Sequence, residues 1–496
     1  MRASGVLLPI FSLPSKYGIG CFSKEAYDFI DFLAAAGQTY WQILPLGPTS
    51  YGDSPYQSFS TFAGNPYFIS LEDLIEEGIL TKEECDAADF GSDPNTIDYG
   101  TLYKTRFEIL KKAYHNADLS EDKAYKKFIR QNKFWIHDYA LYMSVKNSFD
   151  DVSFNKWDED IKMREPKAMK RYEKELADEI GFYKFLQYTF FKQWTKLKNY
   201  ANKNKIKIIG DIPIYVSYDS SDVWAHPELF DLDDKKNLVS VAGCPPDGFS
   251  ADGQLWGNPI YRWDYHEETD FAWWNLRMKK CKELYDVIRI DHFRGFDEYY
   301  SIKAGARTAK RGKWCPGPGM KLFHSLKATL GDCEIIAEDL GFITDSVRQL
   351  VKDSGFPNMK VLEFAFDTRD SGSANDYLPH NYSANAVVYT GTHDNETLVG
   401  WLGEISRAEH KLCQEYVDFD EDDDAALADK LIREAQKSVA NTCIIPMQDY
   451  LHLDNFARIN TPSTLGGNWV WRMNAEDIND ELAEKIAKMT KLYGRG

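Results

Sequence analysis

The sequence of 496 residues has few features of secreted, membrane or metal-binding proteins. Its eight cysteines show no C-x-x-C spacing and no adjoining histidine tract, which argues against a zinc site or a disulfide framework. No apolar run reaches the ~18 residues that a membrane helix needs, and Pro9 and Pro14 interrupt the N-terminal stretch before a signal sequence could form. We therefore expect reduced thiols and a soluble, cytoplasmic protein with no membrane partner.

The sequence also has fewer basic than acidic residues. The sequence has 59 Lys and Arg against 77 Asp and Glu, which gives a formal net charge of −18. Such a surface repels phosphate backbones, so nucleic acid is not an expected partner. With 43% hydrophobic and 27% charged residues, the composition excludes wholesale disorder. The 14% of aromatic residues suits either core packing or stacking against ligands, and composition does not separate the two.

Eight short apolar runs end in Gly, Pro, Asp or Asn, and segments with helical periodicity separate several of them. The runs lie at 5–10, 39–47, 206–216, 286–295, 333–341, 359–367, 386–395 and 443–451. Their near-continuous apolar character is typical of parallel strands that are buried on both faces. The pattern predicts an α/β protein with a (β/α)8 TIM barrel.

A bare barrel takes ~250 residues, so about half of this chain must be insertions. We predict a catalytic barrel formed by 1–50 and 201–496, with a mainly helical insertion subdomain at 51–200 after the second strand. The segment 217–270, within the barrel range, is rich in Pro, Gly and Trp. We expect it to form irregular loops that cover the mouth of the active site.

Three of the apolar runs end on a carboxylate, at Asp291, Glu338 and Asp394. Catalytic groups of TIM barrels follow the strand ends. Arg289 lies two residues before Asp291 and shares its strand face, and a neighbouring guanidinium keeps a carboxylate ionised, as a nucleophile requires. Two converging carboxylates are the minimal equipment for cleaving a glycosidic bond. Any one of these acids alone could be a surface group, but three in succession favour an active site.

The segments "RIDHFRGF", "AEDLG" and "GTHDN" resemble, in this order, the catalytic segments of the α-amylase clan. Four further segments, at 51–69, 210–230, 242–263 and 457–469, narrow the match. Together they resemble the 4-alpha-glucanotransferases, also called amylomaltases or disproportionating enzymes, over essentially the whole chain. The resemblance implies Asp291 as the nucleophile, Glu338 as the general acid/base and Asp394 as the third acid.

The resemblance also implies a set of residues that bind sugars or lie in or beside a loop over the cleft. They are Tyr56, Asp211, Asp247, Phe249, Ser250, Trp256, Arg289, His393 and Asn460. Asp211 could instead be a turn acid, and Trp256 could simply pack its loop against the barrel. Tyr51 would lie near a second glucan-binding groove, or be an ordinary surface tyrosine. Gly248 departs from the family pattern, since some members have Tyr there.

The resemblance implies a retaining double displacement that transfers part of an α-1,4-glucan to the 4-hydroxyl of glucose or of another glucan. The expected partners are maltooligosaccharides and starch or glycogen-type α-glucans, with no metal and no cofactor. A hydrolase of the same clan would share all three acids. A non-catalytic glucan-binding protein on the same barrel is a second alternative. The sequence leaves the oligomeric state open.

Overall fold

Two β-sheets organise residues 2–246, 251–341, 343–369 and 372–496, the part of the chain that this computed structural model describes. Their strands are β1 (Ala3–Leu7), β2 (Tyr40–Gln42), β3 (Lys207–Pro213), β4 (Ser240–Cys244), β5 (Gln254–Pro259), β6 (Val287–Asp291), β7 (Glu298–Lys303), β8 (Lys313–Pro316), β9 (Ile335–Ala337), β10 (Asn358–Val361), β11 (Ala386–Tyr389) and β12 (Thr442–Pro446).

Eight of the strands close into a parallel barrel in the order β1-β12-β11-β10-β9-β6-β3-β2, and β2 returns to β1. Each of the eight predicted apolar runs overlaps one barrel strand, so the predicted TIM barrel is confirmed. Alternate side chains fill the interior as a separate apolar cluster, while the larger core packs outside the sheet, against the helices. The interior cluster consists of Leu7, Ile209, Val287, Ile336, Met359, Val387, Tyr389 and Ile444.

Helices surround the barrel and fill the stretch between β2 and β3. Within the described residues the α-helices are α1 (Lys24–Ala35), α2 (Leu71–Glu76), α3 (Lys82–Asp86), α4 (Tyr99–Asn116), α5 (Lys123–Gln131), α6 (Ile136–Ser148), α7 (Glu159–Lys162), α8 (Pro166–Glu175), α9 (Ala177–Lys203), α10 (Ser221–Ala225), α11 (Trp263–Glu268), α12 (Ala272–Leu284), α13 (Met320–Leu330), α14 (Asp345–Ser354), α15 (Leu398–Glu404), α16 (Arg407–Val417), α17 (Asp424–Lys437), α18 (Met447–Tyr450) and α19 (Asp480–Leu492). None of these described helices is both long and apolar enough to cross a membrane.

The stretch 51–200 carries α2 to α8 and most of α9, in agreement with its helical periodicity. One acid fastens it to the loop after β3. The carboxylate of Asp219 accepts hydrogen bonds from the Tyr142 hydroxyl, from Lys146 Nζ at 2.6 Å and from the Phe154 N–H at 3.1 Å. Lys146 is nearly fully buried, so this ion pair is largely shielded from water. The division of the chain into a barrel and a helical subdomain stays a prediction.

The second sheet is antiparallel, with the order β5-β4-β7-β8. Its strands β4 and β5, together with α10 and α11, lie within 217–270, so our expectation of wholly irregular loops there is wrong. β4 pairs with β5 inside this segment and, on its other edge, with β7, which follows β6 through a short turn at 293–296. The local β4–β5 pairing has a shift of register and the other partner is remote in sequence, so the Gly- and Pro-rich segment gives little local sign of the sheet.

Two arginines close the N-terminal end of the barrel, and we call this pair the carbonyl clasp. Arg495 is 1% exposed and donates to the carbonyl of Ala3 at 3.1 Å and to four carbonyls within 436–441. Arg2 donates to two of the same carbonyls and to that of Tyr493. The clasp therefore ties the first strand and the segment after α19 to the loop that enters β12.

Candidate active site

Asp291 and Glu338 follow neighbouring barrel strands. The register of β6 and β9 pairs Ile290 with Ala337, so the next residue on each strand is one of the two acids. The Glu338 N–H donates to the Ile290 carbonyl at 3.2 Å, which continues the pairing past the strand end. Because the strands are parallel, both carboxyl groups lie at the carboxyl-terminal end of the barrel, where TIM-barrel enzymes carry their chemistry.

Arg289 lies between two carboxylates. Its Nη1 donates to Asp291 Oδ1 at 3.1 Å and to Asp211 Oδ2 at 2.6 Å. Arg289 is 3% exposed and Asp211 is fully buried, whereas the Asp291 side chain keeps 30% of its surface. Asp211, predicted among the sugar-binding residues, thus lies behind the arginine, where it can orient the guanidinium but has no exposed surface for a ligand.

Backbone donors hold the Glu338 carboxylate from two sides. Its Oε1 accepts the N–H of Leu340 at 2.7 Å, and its Oε2 accepts the N–H of His292 at 2.6 Å. The second bond forms because His292 has φ of 55°, in the left-handed region, directly after the strand. This turn ends the strand alternation after Asp291 and makes the backbone of His292 a partner of the acid on the next strand.

Asp394 belongs to a tight turn, 391–395, that follows β11. Its Oδ1 accepts the side-chain amide of Asn460 at 2.6 Å, and its backbone carbonyl accepts Arg458 Nη2 at 2.9 Å. The Arg458 guanidinium also pairs with Glu396 at 2.7 Å and donates to the Asn460 carbonyl at 2.8 Å. The structure thus brings the predicted residues Asp394 and Asn460 into direct contact. Arg458, which our sequence reasoning missed, fixes both.

An aromatic stack connects Asp211, the acid behind Arg289, with Asp394, the third acid. The rings of Tyr56 and His393 are 5.2 Å apart and nearly parallel, and both lie about 6 Å from Trp469. The Tyr56 hydroxyl donates to Asp211 Oδ2 at 2.9 Å, and His393 Nε2 lies 3.4 Å from Asp394 Oδ2. Sequence reasoning missed Trp469, although this residue ends the quoted segment 457–469. His393 and Trp469 are 3% and 5% exposed, so Tyr56 is the ring of this stack that keeps partial exposure, and such a ring suits the apolar face of a sugar.

Trp256 lies on β5 and packs edge-on against the His292 ring, with the ring centroids 4.7 Å apart. Tyr215 completes this contact at 6.2 Å from Trp256. Trp256 therefore connects the antiparallel sheet to the residue beside Asp291. Burial lowers the pKa of the His292 imidazole to about 3, so that ring is neutral at physiological pH and fills space as an uncharged group.

Burial dominates the protonation of both central acids. It raises the pKa of Asp291 well above its usual range, against the opposing guanidinium of Arg289 and with the help of neighbouring carboxylates. It also raises the pKa of Glu338, although Arg289 and the N–H groups of Leu340 and His292 favour the charged form. Arg289 lowers the pKa of Asp291, as we expected, but the desolvation of Asp291 outweighs this single shared guanidinium, so the net shift is upward for this acid as well.

Some predicted residues lie apart from this cluster or outside the described part of the chain. Tyr51 is fully exposed, and its place in a second glucan groove stays a prediction. Asp247, Phe249 and Ser250, like the variant position Gly248, fall in the segment 247–250, which lies outside the described residues. Among the residues that are described, no group of three or more His, Cys, Asp or Glu side chains is arranged to hold a metal ion.

A closed parallel barrel that presents two adjacent carboxyl groups beside a buried arginine, at the carboxyl-terminal ends of its strands, has the arrangement of a TIM-barrel enzyme. The chain belongs to the 4-alpha-glucanotransferase family, whose model matches residues 8–478. This confirms the family that the sequence segments indicated.

Individual relatives cover the chain from end to end. A 4-alpha-glucanotransferase of Clostridium butyricum is 52% identical over 489 residues, which are 98% of this chain and 99% of that protein. A 4-alpha-glucanotransferase of Thermus thermophilus is 44% identical over 505 residues, covering 100% of this chain and 99% of the relative. The solved structure of an amylomaltase from Streptococcus agalactiae in complex with acarbose is 43% identical, with a TM-score of 0.97 and full coverage of both chains.

Proposed function

We propose that the protein is a 4-alpha-glucanotransferase that moves a segment of a 1,4-alpha-D-glucan to the 4-hydroxyl of an acceptor glucose or glucan. The observation that carries the proposal is the pairing of Asp291 and Glu338 on adjacent strand ends, with Arg289 bonded to the first. The family membership of the whole chain supports the same activity. Maltooligosaccharides and starch or glycogen-type glucans are the substrates that we infer.

In the first half-reaction, a carboxylate oxygen of Asp291 attacks the anomeric carbon, and Glu338 gives its proton to the departing 4-oxygen. The bond to the leaving glucan breaks as the bond to Asp291 forms, which gives a covalent glucosyl-aspartate. Arg289 orients the nucleophile, because its Nη1 bonds Asp291 at 3.1 Å while Asp211 fixes the guanidinium from behind. Burial raises the pKa of Glu338 and favours the protonated acid that this step needs, while Arg289 opposes the same effect of burial on Asp291 and favours the ionised nucleophile.

In the second half-reaction, Glu338 acts as a base towards the 4-hydroxyl of the acceptor, whose oxygen displaces Asp291 from the sugar. The N–H groups of Leu340 and His292 support this state, because they stabilise the carboxylate left by the first step. Two inversions restore an α-1,4 bond. We assign Asp394, held by Asn460, to the sugar hydroxyls that change position as the ring distorts.

Transfer instead of hydrolysis requires that water be kept from the covalent intermediate. The antiparallel sheet is placed to contribute, since Trp256 of β5 packs on His292 directly beside Asp291. Tyr56, which is stacked on the buried His393 and Trp469 and is the partly exposed ring of the three, offers an apolar surface for a sugar ring. We further propose a cytoplasmic location, which is supported by cysteines that show neither metal-ligand nor disulfide-framework spacing.

The test is incubation with maltotriose alone, followed by separation of the products. Transfer yields glucose together with a ladder of longer maltodextrins, whereas a hydrolase yields only shorter products and would refute the proposal. Asp291→Asn and Glu338→Gln should each abolish the ladder. Glu334→Gln is the matched control, because Glu334 is an exposed acid that precedes the same strand at its opposite end, and its ladder should equal that of the unaltered protein.

A further inference from the structure

Glu363 is a buried acid that the proposed mechanism does not use. It follows β10, is 5% exposed, and its N–H bonds the Thr390 carbonyl at 3.1 Å. Neither of its carboxyl oxygens makes a hydrogen bond of normal geometry within the described part of the chain. A charged carboxylate without hydrogen bonds would bear the full free-energy cost of desolvation, so the presence of an acid at this buried position needs an explanation.

The carboxyl group of Glu363 lies against the start of the 391–395 turn. A Cβ added to Gly391 would come within 2.7 Å of Glu363 Oε1 and within 3.2 Å of the Asn395 Cβ. Gly391 therefore leaves the space that the carboxyl group occupies. The Asn395 side chain is near enough to favour the charged form of Glu363, although burial raises the pKa of Glu363 well above its usual range.

Asn395 organises the rest of this turn. Its Oδ1 accepts both the N–H of Thr392 at 3.0 Å and the Thr392 hydroxyl at 2.8 Å, and Thr392 Oγ1 in turn accepts the N–H of Asp394 at 3.3 Å. With Oδ1 taken, the amide Nδ2 is the Asn395 group that remains for Glu363. A neutral carboxyl or amide oxygen at position 363 can accept from it without a buried charge.

The charged groups around Glu363 disfavour its ionised form. The negative charges of Asp449 on α18 and Glu396 after the turn raise the pKa of Glu363, and the cation Arg458 lowers it. Arg458 is already committed to Glu396 and to the carbonyls of Asp394 and Asn460. An ionised Glu363 would compete for this guanidinium and loosen the support of Asp394.

We propose that Glu363, in its protonated form, is a positioning residue that holds the 391–395 turn and thereby aligns His393 and Asp394 with the cleft. This proposal depends on the proposed transferase activity only for those tests that measure a reaction rate. The proton on the Glu363 carboxyl group and the stability of the turn can be measured without any turnover.

Three substitutions test the role. Glu363→Gln keeps an oxygen acceptor without a charge and should retain kcat within about twofold. Glu363→Leu removes the acceptor and should lower kcat for maltotriose by roughly tenfold to a hundredfold, since a displacement of about 1 Å in an active site can cost ~100-fold. KM should change less than kcat. Gly391→Ala should behave like Glu363→Leu, because the new methyl group displaces the carboxyl group.

Two further readouts distinguish a protonated positioning residue from a merely structural one. The infrared difference spectrum of the unaltered protein minus Glu363→Gln should contain the band of a protonated carboxyl group. An acid whose pKa is higher in the folded than in the unfolded protein lowers the free energy of unfolding as pH rises. The unaltered protein should therefore lose more thermal stability in alkaline buffer than Glu363→Gln, which has no acid at this position. A missing band, equal alkaline stability, or a Glu363→Gln enzyme as slow as Glu363→Leu would overturn the proposal. A protein without any product ladder would refute only the transferase function.

Discussion

The guanidinium of Arg289 is shared by two carboxylates, so removing one of them should strengthen its hold on the other. We predict that Asp211→Asn lowers the pKa of Asp291 and moves the acidic limb of the pH–rate profile to lower pH. Both carboxylate oxygens bond the same nitrogen and are therefore at most about 6 Å apart. At an effective dielectric constant of about 20, a charge at this distance contributes about 3 kcal/mol, which corresponds to ~2 pKa units.

The assay is the initial rate of glucose release from maltotriose across acidic to neutral pH. Arg289→Ala removes the cation and should move the acidic limb in the opposite direction, to higher pH, with a large loss of rate. Arg289→Lys should move it less than Arg289→Ala, because the charge remains although the planar fork is lost. The rate of Asp211→Asn should also fall, since a neutral amide oxygen holds the Tyr56 hydroxyl and the guanidinium less strongly than the carboxylate oxygen that they share.

Asp222→Asn is the matched control. Asp222 is also a buried acid, but its carboxylate is bonded by Thr61, and the Arg289 contacts do not include it. Its substitution should leave the acidic limb in place. If Asp211→Asn moves the limb to higher pH, or if Asp211→Asn and Arg289→Ala move it in the same direction, then Asp291 does not set the limb through this shared guanidinium.

Three other predictions concern roles and stability. With an activated glucosyl fluoride, whose leaving group needs no proton, Glu338→Gln should react slowly and Asp291→Asn should not; the reverse result would exchange their roles. Asn460→Ala should lower the rate of ladder formation by roughly tenfold or more at an unchanged melting temperature, because the third acid loses its side-chain donor. Asp219→Asn should lower the free energy of unfolding in urea by about 2–4 kcal/mol, because it leaves the buried Lys146 ammonium unpaired; an unchanged midpoint would show that water solvates this lysine.

The barrel could be predicted from the sequence because its strands are buried on both faces and therefore appear as apolar runs. The strands are shorter than those runs. The run 39–47 yields only Tyr40–Gln42, and the run 443–451 turns into α18 after Pro446. Apolar character reports burial, and residues beyond a strand end can be buried as loops or helices. The runs therefore located the strands without fixing their bounds.

The site could be predicted only in part. The order of Asp291, Glu338 and Asp394 along the chain identifies the strand ends that carry them. The depth of each side chain depends on packing that no local pattern records. Asp211 lies inside the run 206–216, and nothing in that run shows that packing hides its side chain behind Arg289. Glu363 lies within the apolar run 359–367, where an acid could equally face solvent, and only the folded structure shows that it is buried beside Gly391.

The carbonyl clasp has a consequence for synthesis on the ribosome. β1 pairs with β12, and Arg495 bonds the Ala3 carbonyl across 492 positions of the chain. β1 is translated first, but β12, one of its two neighbours in the barrel, is translated only when almost the whole chain has been made. Until then the nascent sheet has two open edges, whose free N–H and C=O groups invite pairing with other chains. Shielding of these edges by chaperones, more than the rate of local helix formation, would then decide how much of the newly made enzyme reaches its closed form.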